Sequence, residues 1–292
     1  MANMADPIST GDTFPVLMER LLKFRAEHPC KYLQVAGVRW EYLVGGDSPN
    51  TLLFLTGGLR VAETAFAYIR LFEKTYRVIV PTYPPVWTMD EIADGIATIL
   101  EAEHAPRVLV LGQSYGGLMA QGFIGRHPSR VTKLVLSSTG PLAASKLQLR
   151  LFPVLVGILA CFPERLLKRL WLEALWPLLS VPESEKVFWR SYLADVFEHR
   201  ITKEAVLSHF RTAADALEKY GYDGQEQARW PGPILIIGGD KDPTSTQEDR
   251  RQMAMYYPQA QVYVISEAGH TVGMQKPEEY AAVVREFFDR RA

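Results

Sequence analysis

Three residue types in one order could carry nucleophilic acyl transfer: Ser114, then an acid at Asp242 or Asp240, then His270. A serine hydroxyl is a poor nucleophile near neutral pH. It needs a base within hydrogen-bond reach, and a neutral imidazole serves when a carboxylate fixes its tautomer. Ser114 lies in Val108-Leu109-Val110-Leu111-Gly112-Gln113-Ser114-Tyr115-Gly116-Gly117, where an apolar strand pattern stops, turns through serine and restarts as the helical run LMAQGFIG. G-x-S-x-G alone is a weak pattern, but a strand before it and a helix after it predict a nucleophile elbow. Such a turn strains the serine backbone and holds Oγ clear of the sheet. A side chain at Gly112 or Gly116 would strike the neighbouring helix or strand. The helix that follows aims its N-terminal N–H groups at the same point, so the Tyr115 N–H is expected to face a developing oxyanion.

The acid and the base also fall just after strands. Pro233-Ile234-Leu235-Ile236-Ile237-Gly238 reads as a buried strand that empties into Gly239-Asp240-Lys241-Asp242-Pro243. Gln261-Val262-Tyr263-Val264-Ile265 reads as the next, ending in Glu267-Ala268-Gly269-His270. In open α/β sheets the ends of strands are where ligand crevices form. Two carboxylates one residue apart cannot be separated by spacing; whichever does not face the histidine is free to bond backbone donors in the turn.

The elements that must position these residues fall into three stretches. From Lys31 to Ser138, strand-like runs (YLQVAG, VRWEYLV, TLLFLTGG, YRVIVPTY, RVLVLG, VTKLVLSS) alternate with helical patterns near Ala62–Glu73, Met89–Ala102 and Gly116–Arg126. This alternation predicts an α/β fold, a mostly parallel sheet covered on both faces. Residues 142–228 contain no convincing strand and many helical stretches rich in Leu, Trp and Arg, broken at Pro153, Pro163, Pro177 and Pro182. They are expected to form a helical cap inserted into a core built from 1–141 and 229–292. The last stretch returns to alternation, with a helix near Gln247–Tyr257 and a closing helix Pro277–Arg290 that proline can start.

In its order of elements the whole chain resembles the cap-bearing members of the α/β-hydrolase superfamily, through the elbow GQSYGG, the acid turn GDKDP and the histidine turn EAGH. The resemblance implies an eight-stranded-type sheet and a Ser–His–Asp triad. In that family the acid ends a G-x-x-D turn, which selects Asp242, with Asp240 as the fallback. The second oxyanion donor would come from the loop Thr56-Gly57-Gly58-Leu59, with Gly58 N–H the candidate and Thr56 in place of the usual histidine. The stretch Tyr76–Gln121 also resembles maspardin-type proteins, and GQSYGG resembles the elbow of proline iminopeptidase-type enzymes. The implied activity is cofactor-free, metal-free hydrolysis of a small or medium apolar carboxylic ester. The same residues also suit a C–C bond hydrolase, an aminopeptidase, or an interaction module that has lost turnover.

Bulk properties narrow the classes. With 32 basic against 33 acidic residues the formal charge is −1, and no basic stripe points to nucleic acid. Cys30 and Cys161 are too few for a disulfide framework, although one bridge stays open. The N-terminus lacks the basic-then-apolar pattern of a secretory signal, so the expected location is cytoplasmic. The run Leu151–Phe162 is the most apolar in the chain but too short to span a bilayer, which needs about 20 residues. It reads as a buried cap helix in preference to an interfacial or acyl-binding surface. Side chains within Leu151–Trp176 are expected to set the size of the acyl pocket, with Trp171, Trp176 and Trp189 either walls or packing. Arg60 reads as an ordinary solvated arginine, with recognition of a substrate carboxylate as the alternative. His28, His104, His127, His199 and His209 read as structural or solvated.

Overall fold

A computed structural model describes residues 12–221 and 230–290. One eight-stranded sheet runs through it, built from β1 (Lys31–Val35), β2 (Val38–Gly45), β3 (Thr51–Leu55), β4 (Arg77–Thr82), β5 (Val108–Gln113), β6 (Val131–Ser137), β7 (Ile234–Gly239) and β8 (Gln261–Ile265). Their spatial order is β1-β2-β4-β3-β5-β6-β7-β8. β2 is antiparallel to both β1 and β4, and every other pairing is parallel. β3 and β7 are buried along their whole lengths, as strands covered on both faces must be.

The pleat sorts their side chains into two cores. Leu52 and Phe54 face a layer that includes α1 (Phe14–Glu27), α2 (Phe66–Phe72) and α11 (Pro277–Asp289). Leu53 and Leu55 face α3 (Met89–Ala102) and α4 (Tyr115–Arg126). α3 starts on a capping box in which the Thr88 side chain accepts from the Glu91 N–H. α1 is an addition to the sequence reading; its buried Leu17, Leu21 and Phe24 repeat at helical spacing. The helix expected over Ala62–Glu73 is a 3₁₀ turn followed by α2.

Among the described residues, four α-helices lie between β6 and β7: α5 (Lys146–Ala160), α6 (Glu164–Leu175), α7 (Lys186–His199) and α8 (Lys203–Tyr220). α8 packs on α3 and α4, α5 packs on α8, and α6 touches both α7 and α8. The C-terminal end of the stretch assigned to a cap, 222–228, lies outside the described residues. Of the four prolines expected to break helices, Pro153 does not: α5 continues through it. Pro153 sits on the exposed side, where the carbonyl deprived of its N–H partner can bond water. α9 (Gln247–Tyr256) and the short α10 (Val272–Gln275) complete the set.

The run Leu151–Phe162 departs from its expected burial. Val156 is buried, yet Leu151, Val154, Leu155 and Ile158 are exposed. Hydrophobicity on both sides of a helix is compatible with one covered face, and here α8 supplies the cover for that face alone. Cys30 and Cys161 are both free, so the bridge left open by the sequence is not made.

Candidate active site

Ser114 occupies the turn between β5 and α4 with φ 54° and ψ −122°. A non-glycine residue with such a backbone costs about 1–3 kcal/mol and persists only where its surroundings over-determine it. They do so here: the Ser114 N–H donates to Ser137 O at 2.9 Å, and its carbonyl accepts from Gly117 N–H at 2.8 Å. A Cβ at Gly112 would lie 2.4 Å from Gly116 O, and one at Gly116 would lie 2.0 Å from Leu55 O. The glycines are therefore demanded by close approach of α4 to β5 and β3, as the sequence pattern implied.

His270 follows β8, and its Nε2 lies 2.8 Å from Ser114 Oγ. On its other side Nδ1 lies 2.9 Å from Asp242 Oδ2 and 3.0 Å from Oδ1. Asp240 turns elsewhere, its Oδ1 accepting the Ala268 N–H at 3.2 Å. Both residues leave the same strand, but Asp242 is the one that meets the histidine. Burial pushes the Asp242 carboxyl up; the His270 hydrogen bond and charge, with the N–H groups of Thr244 and Ser245, outweigh that and hold its pKa below the ordinary carboxylate value. An imidazole fixed in this way can take a proton from the serine hydroxyl and return it to a leaving group.

Two further contacts at the histidine were not read from the sequence. Thr244 Oγ1 lies 2.9 Å from His270 Nδ1 and donates to Asp242 Oδ1 at 3.1 Å, while the Thr244 N–H donates to the same oxygen at 2.9 Å. That last bond is an Asx turn, legible in Asp-Pro-Thr-Ser because an aspartate accepts readily from the N–H two residues on. Ser180, between α6 and α7, accepts the His270 N–H on Oγ at 3.1 Å, donates its own N–H to Thr271 Oγ1 at 2.8 Å and accepts the Thr271 hydroxyl on its carbonyl at 3.1 Å. A segment of the inserted helices is thereby clasped to the histidine turn. Nothing in the local sequence of Ser180 signals it, because its partners lie about ninety residues away.

Above Ser114 lies a pocket of about 670 Å³, part of it continuous with solvent. Gly57, Gly58, Gln113, Ser114 and His270 form its polar floor, and Leu175, Leu178, Leu179, Trp189 and Leu193 wall it from the inserted helices. Within Leu151–Trp176 only Leu175 is part of this wall, so the expectation that side chains within that stretch set the pocket's size narrows to Leu175 and shifts to Leu178, Leu179, Trp189 and Leu193 beyond it. Trp171 packs on the rings of His209 and Phe210, and Trp176 lies under the Arg190 guanidinium. The loop carrying Gly58 passes close to the serine: a Cβ at Gly57 would be 3.3 Å from Ser114 Cβ.

Arg60 is not solvated. It is buried with φ 62°, donating to Tyr115 Oη at 3.1 Å, to Pro84 O at 3.1 Å and to Ser208 Oγ at 3.0 Å. It joins the elbow to α8 and does not line the pocket. His209 stacks on the same tyrosine with ring centroids 4.0 Å apart, and among the described residues its buried Nδ1 has no partner. Burial, then the positive charge of Arg60, holds the His209 pKa well below the ordinary value.

As pH falls through the ordinary histidine range near 6.5, the unfolded chain protonates at His209 while the folded one resists, and stability is lost by at most about 1.4 kcal/mol per pH unit. Above that range the residue contributes no slope. His209→Phe should therefore flatten the acid limb of urea-unfolding midpoints measured between about pH 5 and 7; equal slopes in the two proteins would refute the assignment.

The match to known proteins agrees with this architecture. The family model described as the alpha/beta hydrolase fold matches residues 73–277. A proline iminopeptidase of Pestalotiopsis fici is 22% identical over 89% of this chain and 99% of its own. Among solved structures, a hydrolase from Pseudomonas aeruginosa superposes with a TM-score of 0.73 at 16% identity, over 90% of this chain and 99% of that one. An enol-lactonase from Burkholderia xenovorans does so with a TM-score of 0.72 at 17% identity, over 89% and 100%. With its elbow serine, its eight-stranded sheet and a family match over most of its length, the chain belongs to the alpha/beta hydrolase fold family.

Proposed function

We propose that the protein is a serine hydrolase that cleaves small-to-medium apolar carboxylic esters through an acyl-enzyme, with Ser114 as nucleophile, His270 as general base and acid, and Asp242 as its orienting carboxylate. The reading rests above all on the 2.8 Å contact between Ser114 Oγ and His270 Nε2 at the floor of an apolar pocket. Ser114 Oγ attacks the ester carbonyl while its proton passes to Nε2. The N–H groups of Tyr115 and Gly58 receive the oxyanion, each worth about 3 kcal/mol to such a transition state. Protonated His270 then gives its proton to the departing alcohol, and water repeats the sequence on the acyl-enzyme.

The pocket favours esters over the peptides that an aminopeptidase would take. No Asp or Glu is among the residues described as lining it, so a free α-ammonium would enter without a counter-charge. A C–C bond hydrolase would use the same three residues and is separated only by assay.

The deciding experiment is a ladder of p-nitrophenyl esters of graded acyl length, run beside a prolyl amide and a vinylogous diketone. The ester rates should rise, with each buried methylene contributing up to about 0.8 kcal/mol, and then break where the acyl chain meets the wall. Leu178→Ala or Leu193→Ala should move the break to longer chains, whereas large-to-small changes on α11 should alter stability only. A faster diketone or amide would reassign the substrate. An acyl profile that is flat, or equally sensitive to both sets of changes, would remove the inserted helices from the pocket's specificity.

A further inference from the structure

We propose that the outer face of α5 and α6 seats the protein on an anionic lipid surface. Leu147, Leu151, Val154 and Ile158 are 66%, 52%, 57% and 55% exposed, and Leu155 is exposed beside them. At about 100° per residue these five side chains fall within roughly a quarter of the helix circumference, opposite the face that packs on α8. Leu166 and Leu170, one turn apart on α6, are exposed as well. Five exposed apolar side chains on one face of a helix form a patch of the kind that marks an interaction site.

Charge identifies the occupant. Between Lys146 and Leu170 the sequence has five basic residues and one acidic, in a chain whose net charge is −1. Arg150 is exposed on α5 beside the stripe, and Arg165 and Arg169 precede Leu166 and Leu170 on exposed positions of α6. Among the described residues none of these three arginines is in an ion pair. A leucine-rich stripe rimmed by unneutralised arginines is the composition of a helix that lies in the plane of a headgroup layer. A second copy of the chain fits less well, because self-pairing of the stripe would bring the same arginines together. The membrane would be touched, not crossed: among the described residues no helix is long and apolar enough to span it. α6 runs 12 residues, about 18 Å, from this face to Leu175 on the pocket wall, so an apolar substrate dissolved in the lipid would lie near the site.

The test is co-sedimentation of the full chain with phosphatidylcholine vesicles, with and without phosphatidylglycerol. Binding is expected to the anionic vesicles, to weaken with added salt, and to fall by at least about tenfold in Arg150→Glu/Arg165→Glu/Arg169→Glu. Leu151→Ser/Val154→Ser/Ile158→Ser should lose binding at low and high salt alike. None of these six residues lines the pocket, so hydrolysis of a soluble short-chain ester should be unchanged and would report intact folding. No binding by the wild type, or binding indifferent to the arginine reversals, would overturn the proposal. So would a concentration-dependent dimer that the serine variant dissolves and vesicles do not compete away. Because sedimentation is read without turnover, this inference and the ester reading fail separately.

Discussion

A serine-directed phosphonate is expected to label the protein once, at Ser114, and Ser114→Ala is expected to remove both labelling and turnover, with a loss on the order of a millionfold in kcat for the preferred ester. The size follows from what the alanine lacks: the nucleophile itself, with the oxyanion donors and the pocket left intact. His270→Ala should suppress labelling too, because in the proposed mechanism Nε2, 2.8 Å from Oγ, takes the serine proton. Tryptic mapping of the adduct reads the position. Stoichiometric labelling of another serine, with Ser114→Ala fully active, would sink the mechanism. A protein that neither labels nor turns over any ester, amide or diketone would favour the interaction-module reading.

Asp242→Asn should lower kcat by about ten-thousandfold while leaving KM within a few-fold, because an amide at this position disturbs the tautomer that the carboxylate sets on His270. Asp240→Asn should do far less, since that side chain bonds the Ala268 N–H and not the imidazole. The pair of variants is informative as a contrast. Both residues are acidic and both leave β7, so general loss of charge or of turn stability would affect them similarly, whereas a role through the imidazole separates them. A larger loss at Asp240 would move the acid to that position and leave the rest of the mechanism standing.

Residue types and spacing carried the parts of this protein that depend on neighbours in the chain. The elbow was legible because strand, glycine, serine and helix must follow one another within about ten residues, and the backbone collisions at Gly112 and Gly116 are those that pattern implies. The parallel sheet was legible from its alternation with helices, and the acid and histidine turns from their places at strand ends. α1 is written in the spacing of Leu17, Leu21 and Phe24 but precedes the strand–helix alternation.

What the tertiary structure alone decided concerns partners distant in the chain. Asp242 and Asp240 differ by one residue and so by the direction of the side chain, which only the approach of the turn after β8 could resolve. The Ser180 clasp and the burial of Arg60 join segments 90 and 148 residues apart, and no local propensity records such pairings. The apolar run Leu151–Phe162 states how much surface shuns water but not which side another helix will cover. Composition sets the hydrophobic free energy available to a helix, whereas the packing of α8 against one face, and the absence of a described neighbour on the other, determines where that free energy is spent.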